Sequence, residues 1–272
     1  LPQADPCFWI GQPLAGSSHV QVIAFYRLAW FRNISSVAKN TEMKMRIAMW
    51  SGPRNLSTAM MYSFGARHDF AVMDEPFYAA YLAKTGLDHP MSQQILQAHE
   101  VDPIKVGKSC EGGGAPHLYM KHMPHHMLEG FPMDWAQDCV NIHLIRHPAR
   151  VIASYLAKHE APRLEDIGYA QQAALFDQIG GLVVDSTDIR ADPAGMLQKL
   201  CAAIDLPFDP AMLSWPAGPR AEDGIWASHW YGAVHKSTGF AGAEGDLPKL
   251  ADEDLLAEAL PFYEMLYEKR LR

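Results

Sequence analysis

The stretch that decides the fold runs Arg46-Ile47-Ala48-Met49-Trp50-Ser51-Gly52-Pro53-Arg54-Asn55-Leu56-Ser57-Thr58. A short apolar run meets a tight turn carrying one cation, and paired hydroxyls then open a helical pattern. Strand, turn and helix in that order aim several backbone N–H groups at one point, where the helix dipole also favours an anion. Arg54 can fork onto phosphate oxygens, and Ser57 and Thr58 can donate from the first helical turn. The stretch is not a Walker A loop, because no G-x-x-x-x-G-K-[ST] is present. An ordinary strand-to-helix turn capped by Ser57 would have the same spacing.

Outward from this turn, short apolar runs alternate with helical stretches, which predicts an α/β fold with a central parallel sheet flanked by helices. Strands are expected over 46–50, 70–73, 117–121, 140–145 and 182–185. Helices are expected over 57–66, 149–158, 164–180, 193–204 and 252–269. Pro193 and Asp252 stand where helix starts favour them. From Pro207 to Leu247 the chain becomes rich in Trp, Pro, Gly and His without a period, as binding loops do. Gly107-Lys108-Ser109 copies the end of Walker A, but Asp102 replaces the first Gly, so a surface loop is expected there.

The 272 residues suffice for a sizeable core, and 49% apolar with 20% charged residues is a globular balance. A net charge of −8 argues against a nucleic-acid footprint but leaves room for a local basic pocket. Cys7, Cys110, Cys139 and Cys201 lie far apart, so reduced thiols in a cytoplasmic protein are expected. Residues 1–44 are read as an appendage, with the folded domain over 45–272. A start wrongly extended upstream of Met45 would give the same pattern. The apolar run from Val20 to Phe31 is too short, and with Arg27 too charged, for a membrane span.

A second anchor follows the fourth expected strand, where Arg146-His147-Pro148 leads into a helix carrying Ser154. Arg146 falls at a strand C-terminus, the edge at which open α/β sheets bind ligands. Here the chain resembles the P-loop sulfotransferases. Pro53-Arg54-x-x-Ser57-Thr58 is similar to their 5′-phosphosulfate loop, P-K-x-G-[ST]-[ST], with Arg54 at the lysine. Arg146-x-Pro148 with Ser154 resembles their 3′-phosphate motif. His122-Met123-Pro124 resembles H-L-P, and Asp185-Ser-Thr-Asp188-Ile189 with Asp192-Pro193 resembles Y-E-D-L…P. Gly224-x-Trp226-x-x-His229-Trp230 resembles G-x-W-x-x-H-F. The W-S-G-P-R-N-x-S-T opening and Asp74-Glu75-Pro76-Phe77-Tyr78 are similar to a bacterial subgroup of that superfamily.

The resemblance implies a P-loop NTPase-like three-layer sandwich and 3′-phosphoadenosine-5′-phosphosulfate as donor, with a small acceptor and no metal. It carries donor binding to Gly52, Pro53, Arg54, Asn55, Leu56, Ser57, Thr58, Arg146, Ser154, Arg220 and Trp226. Three positions depart from the family pattern. Leu56 replaces the loop Gly, Arg220-Ala221-Glu222 replaces Arg-Lys-Gly, and Ser186 replaces the Tyr of Y-E-D-L.

Sulfuryl transfer needs an in-line acceptor, cations on the leaving phosphate and a base at the acceptor. Arg54 would supply the cation. His122, at the position of the cytosolic enzymes' His, and Glu75, at that of the bacterial and tyrosylprotein enzymes' Glu, compete as base. The balance falls to Glu75, with His122 and Lys121 near the transferring group. A metal site from His117, His122, His125 and His126 has His122 and His126 at i, i+4, but Pro124 interrupts it and no acidic partner stands at a usual offset. Trp215, Trp226, Trp230, Tyr231 and Phe240 could stack on adenine or line an acceptor pocket. Two alternatives stay open: a P-loop kinase or hydrolase using Asp185 and Asp188 for magnesium, and a nucleotide-binding protein without catalysis.

Overall fold

The structure is a computed structural model and describes residues 44–112, 117–158 and 161–272. The expectations for residues 1–43, including the appendage, the Val20–Phe31 run and Cys7, lie outside the described residues.

Five strands form one parallel sheet: β1 (Arg46–Ser51), β2 (Phe70–Asp74), β3 (His117–His122), β4 (Val140–Ile145) and β5 (Leu182–Asp185). Their order is β2-β3-β1-β4-β5. Met49 pairs with Lys121 on one side and Ile142 on the other, so β1 is buried at the centre. The order reverses at β1, and the loop leaving it therefore opens into the crevice between β3 and β4.

Alternation along β1 explains the layers. Ile47 and Met49 pack with Met60, Met61 and Phe64 of α1 (Ser57–Gly65). Ala48 and Trp50 face the opposite core with Phe77, Trp135 and Leu175. Both faces of the sheet are therefore covered, as parallel sheets require.

All five strands fall within one residue of their expected ranges. The helices between β2 and β3 carry weaker sequence signals and add to the expected set. They are α2 (Tyr78–Thr85), α3 (Ser92–Ala98) and α4 (Pro103–Cys110). The expected surface loop at Gly107-Lys108-Ser109 is instead the end of α4. Asp102 caps that helix by accepting from the Ile104 N–H, and Val106, Gly107 and Cys110 are buried. Downstream lie α5 (Asp134–Gln137) and α6 (Pro148–Leu156). The helix expected over 164–180 is two, α7 (Leu164–Ile167) and α8 (Tyr169–Ile179), broken where Gly168 takes φ 74°. After β5 come α9 (Ser186–Ala191), α10 (Pro193–Ala203), α11 (Ala227–Trp230) and α12 (Asp254–Tyr267). Cys110, Cys139 and Cys201 are unbridged. Among the described residues no helix is long and apolar enough to cross a membrane.

Candidate active site

The turn after β1 wraps around the N-terminus of α1. Arg54 and Leu56 both adopt the left-handed conformation, at φ 62° and 77°. Leu56 therefore keeps the backbone shape that glycine would give most readily, and its departure from the family pattern leaves the turn intact. Gly52 cannot be replaced so easily. A Cβ there would lie 2.6 Å from the Ile167 carbonyl oxygen. Buried Gln172 donates from Nε2 to the Trp50 and Leu144 carbonyls at 3.0 and 3.1 Å, clamping the ends of β1 and β4 beneath the turn.

A cavity of about 830 Å³ opens over this turn. Pro53 to Thr58 form its floor, and Arg146 and Ser154 flank it, so both sequence-predicted anion anchors share one space. Arg146 Nη1 donates to the Arg54 carbonyl at 2.7 Å and ties them together. The Arg54 guanidinium lies 4.3 Å from the centre of the Tyr155 ring.

The opposite wall carries a buried charged cluster. Lys121 is the next-to-last residue of β3, and its Nζ donates to Asp74 Oδ1 at 2.9 Å, to the Tyr231 hydroxyl at 2.6 Å and, in a short contact, to Glu75 Oε1. Tyr231 donates onward to Asp74 at 2.8 Å, and the Gly224 N–H donates to Asp74 Oδ2 at 3.1 Å. Glu75 sits at φ 40°, a costly backbone for a glutamate, held there because its N–H donates to the Lys121 carbonyl at 2.9 Å. Burial raises the Glu75 pKa; Lys121 opposes that shift and Asp74 adds to it. Burial works against the Lys121 charge, but Asp74 and Glu75 outweigh it and hold the ammonium protonated. Glu75 and Lys121 both line the cavity.

The histidine cluster divides. His117 Nδ1 accepts from the Met45 N–H at 3.0 Å. His122 does not line the cavity. It is 1% exposed, stacks on Trp50 at 4.6 Å and meets Trp135 in a tilted contact at 4.8 Å, on the other face of the sheet. Burial, then Lys121, lowers its pKa to about 3, so the ring is neutral. Only His125 and His126 of this group line the cavity, and burial keeps both neutral as well. Among the described residues no group of three or more His, Cys, Asp or Glu is arranged to hold a metal.

Two other predicted residues stand away from the cavity. Trp226 is 2% exposed in the core, donating to the Tyr231 hydroxyl at 3.2 Å. Arg220 stacks its guanidinium 4.1 Å over the Tyr62 ring. Trp215 is likewise buried in the core, whereas Trp230 reaches the cavity. Asp185 accepts from the Thr187 N–H and from the Tyr263 hydroxyl, and Asp188 pairs with Arg270. Neither lines the cavity, so they lend no support there to a magnesium-dependent kinase. Sequence reading missed Arg150, Arg190, Thr187 and Glu244, which gather beside Arg146; only the order of residues in space reveals them.

A sulfotransferase-domain family model matches residues 45–270. The chain belongs to the sulfotransferase-domain family. It is an enzyme of the sulfotransferase type. Two Arabidopsis thaliana proteins, branched-chain-amino-acid aminotransferase-like proteins 2 and 1, are each 36% identical over 230 residues, or 81% of this chain. The chain spans 41% of their length. Among solved structures, the sulfotransferase domain from the curacin biosynthetic pathway is similar in fold, with a TM-score of 0.50 and 15% identity. The match covers 80% of this chain and 98% of that one.

Proposed function

We propose that this sulfotransferase moves a sulfuryl group from 3′-phosphoadenosine-5′-phosphosulfate to a hydroxyl or amine of a small acceptor. The observation that carries the reading is the shared cavity, with an anion-shaped turn and Arg54 on its floor and the buried Glu75–Lys121–Asp74 cluster on its wall. The turn, Ser57 and Thr58 would hold the donor's 5′-phosphate, and Arg146 with Ser154 its 3′-phosphate. The acceptor oxygen or nitrogen attacks sulfur, its proton passes to Glu75, and the S–O bond to the leaving phosphate breaks. Arg54 and the loop amides stabilise the charge that builds on that oxygen.

Glu75 suits the base role better than His122. It faces the cavity, and burial lifts its pKa toward the working range of a general base. Lys121 keeps Glu75 oriented while Asp74 and Tyr231 hold Lys121. Tyr78, Tyr81, Trp230 and the neutral His125 and His126 form the remaining wall. That lining suits an acceptor with an apolar or aromatic body and one nucleophilic group.

Calorimetric titration with 3′-phosphoadenosine-5′-phosphate, against ADP and ATP with and without magnesium, tests the reading. Micromolar binding of the bisphosphate, lost in Arg54→Ala, is expected. Preference for magnesium-ATP, or no nucleotide binding, would overturn it.

A further inference from the structure

Beside the turn, three guanidiniums converge on one carboxylate. Glu244 Oε1 receives Arg190 Nη1 at 2.5 Å and a short contact from Arg146 Nη2, while Oε2 lies 3.2 Å from Arg150 Nε. The Thr187 hydroxyl donates to the same Oε2 at 3.3 Å. The Glu244 side chain is only 3% exposed. Burial works against its charge, but the arginines prevail and hold its pKa below the usual carboxylate range. The segment that carries Glu244 has no helix or strand of its own. It is fastened here by these contacts, by Arg190 Nε donating to the Gly242 carbonyl at 3.0 Å, and by Arg150 donating to the Gly245 carbonyl.

Three arginines around a two-oxygen anion are more positive charge than one carboxylate needs. The buried Arg146 Nε has no hydrogen-bond partner among the described residues. Such a cradle matches a phosphate monoester, which brings more charge and three acceptor oxygens. We propose that Glu244 is a built-in competitor for the donor's second phosphate, setting how much that phosphate adds to nucleotide affinity. This rests on the donor reading above, because Arg146 is the residue both anions would share.

A nucleotide with a free ribose hydroxyl at this point leaves Glu244 in place and binds through the 5′-phosphate turn alone. A bisphosphate must expel the carboxylate, and so it pays part of its affinity for doing so. The same competition hastens departure of the spent bisphosphate, whose release commonly limits turnover in enzymes that close over their substrates.

The test is calorimetric and stopped-flow binding of 3′-phosphoadenosine-5′-phosphate and of 5′-AMP to the wild-type chain, Glu244→Gln and Thr187→Ala. Thr187→Ala loosens only the hydroxyl's hold on Glu244 and leaves every arginine in place. Roughly tenfold tighter bisphosphate binding in Glu244→Gln is expected, mostly through slower release, with 5′-AMP unchanged. A smaller shift in the same direction is expected in Thr187→Ala. Bisphosphate binding that is unchanged or weaker in both variants would overturn the competitor role and leave the donor reading standing. Absence of bisphosphate binding in all three proteins would overturn the donor reading and the competitor role with it.

Discussion

The Tyr231 hydroxyl lies 2.6 Å from Lys121 Nζ, although 110 residues separate them. Through it the irregular C-terminal segment reaches the ends of β2 and β3, where Asp74, Glu75 and Lys121 converge. Tyr231→Phe removes a buried hydroxyl that bonds both Lys121 and Asp74 from the side of that segment. Loss of such a buried hydrogen bond is expected to cost about 1–3 kcal/mol of stability. A positioning role predicts more: kcat falls while affinity for the bisphosphate nucleotide stays as it was. A lower melting temperature with kcat unchanged would reduce Tyr231 to a packing residue.

Glu75→Gln removes the proposed base but preserves the shape and one hydrogen-bonding oxygen. Turnover is expected to fall by roughly a hundredfold or more, with nucleotide binding retained. The pH profile carries the same claim. Glu75 must be ionised to accept a proton, and burial raises its pKa. Activity should therefore be lost on the acid side, at a pH above the ordinary carboxylate range, and that limb should be absent from the residual rate of the variant. An unaltered acid limb in Glu75→Gln would assign the base elsewhere.

The sheet and the turn were legible because their signals are local. Five apolar runs with β-rich composition, and the Ser51–Thr58 turn, depend on neighbours in sequence. The base cluster was half legible: Glu75 and Lys121 could be picked out from motifs, but Asp74 and Tyr231 join them only through the β2–β3 register and a long return of chain. His122 shows the limit of motif position. Along a strand, alternate residues point to opposite faces, so Lys121 enters the cavity while His122, one residue on, turns into the Trp50–Trp135 core. Gly168 shows another limit. The apolar pattern runs through 164–180 without a break, and a single glycine in the left-handed conformation was enough to split the helix. Glu244 carried no sequence signal, since its partners come from α6, α9 and the end of β4.

The buried histidines predict how stability depends on pH. Burial lowers the pKa of His122 to about 3 and those of His125 and His143 to about 4. The unfolded chain protonates them near 6.5 and so binds more protons than the folded one in the window between. Stability therefore falls as pH drops below about 6.5, each ring contributing up to about 1.4 kcal/mol per pH unit. In His122→Phe the stack on Trp50 persists without a titrating group. Urea midpoints taken from pH 7.5 to 5 should slope less steeply in this variant than in the wild-type chain. Equal slopes would mean that His122 reaches solvent protons in the folded state. The same variant should keep its turnover if Glu75 is the base.

Gly52→Ala probes how tightly the anion turn is set against its surroundings. The added Cβ would lie 2.6 Å from the Ile167 carbonyl oxygen, and that oxygen belongs to backbone just before Gly168, where the left-handed break fixes the chain's direction. Neither side is a flexible side chain that can swing away. Either the turn moves off Ile167 or the α7–α8 junction moves off the turn. The strain is expected to cost about 1–3 kcal/mol. If the turn yields, Arg54 and the N–H groups leave the point on which they converge, and bisphosphate affinity drops together with stability. If the junction yields, stability drops and affinity holds. Leu56→Gly is the matched control: its backbone already has φ 77°, which glycine adopts without strain, so nucleotide affinity should be preserved. Loss of affinity in Leu56→Gly as severe as in Gly52→Ala would show that the leucine side chain, and not the shape of the turn, is what the nucleotide meets.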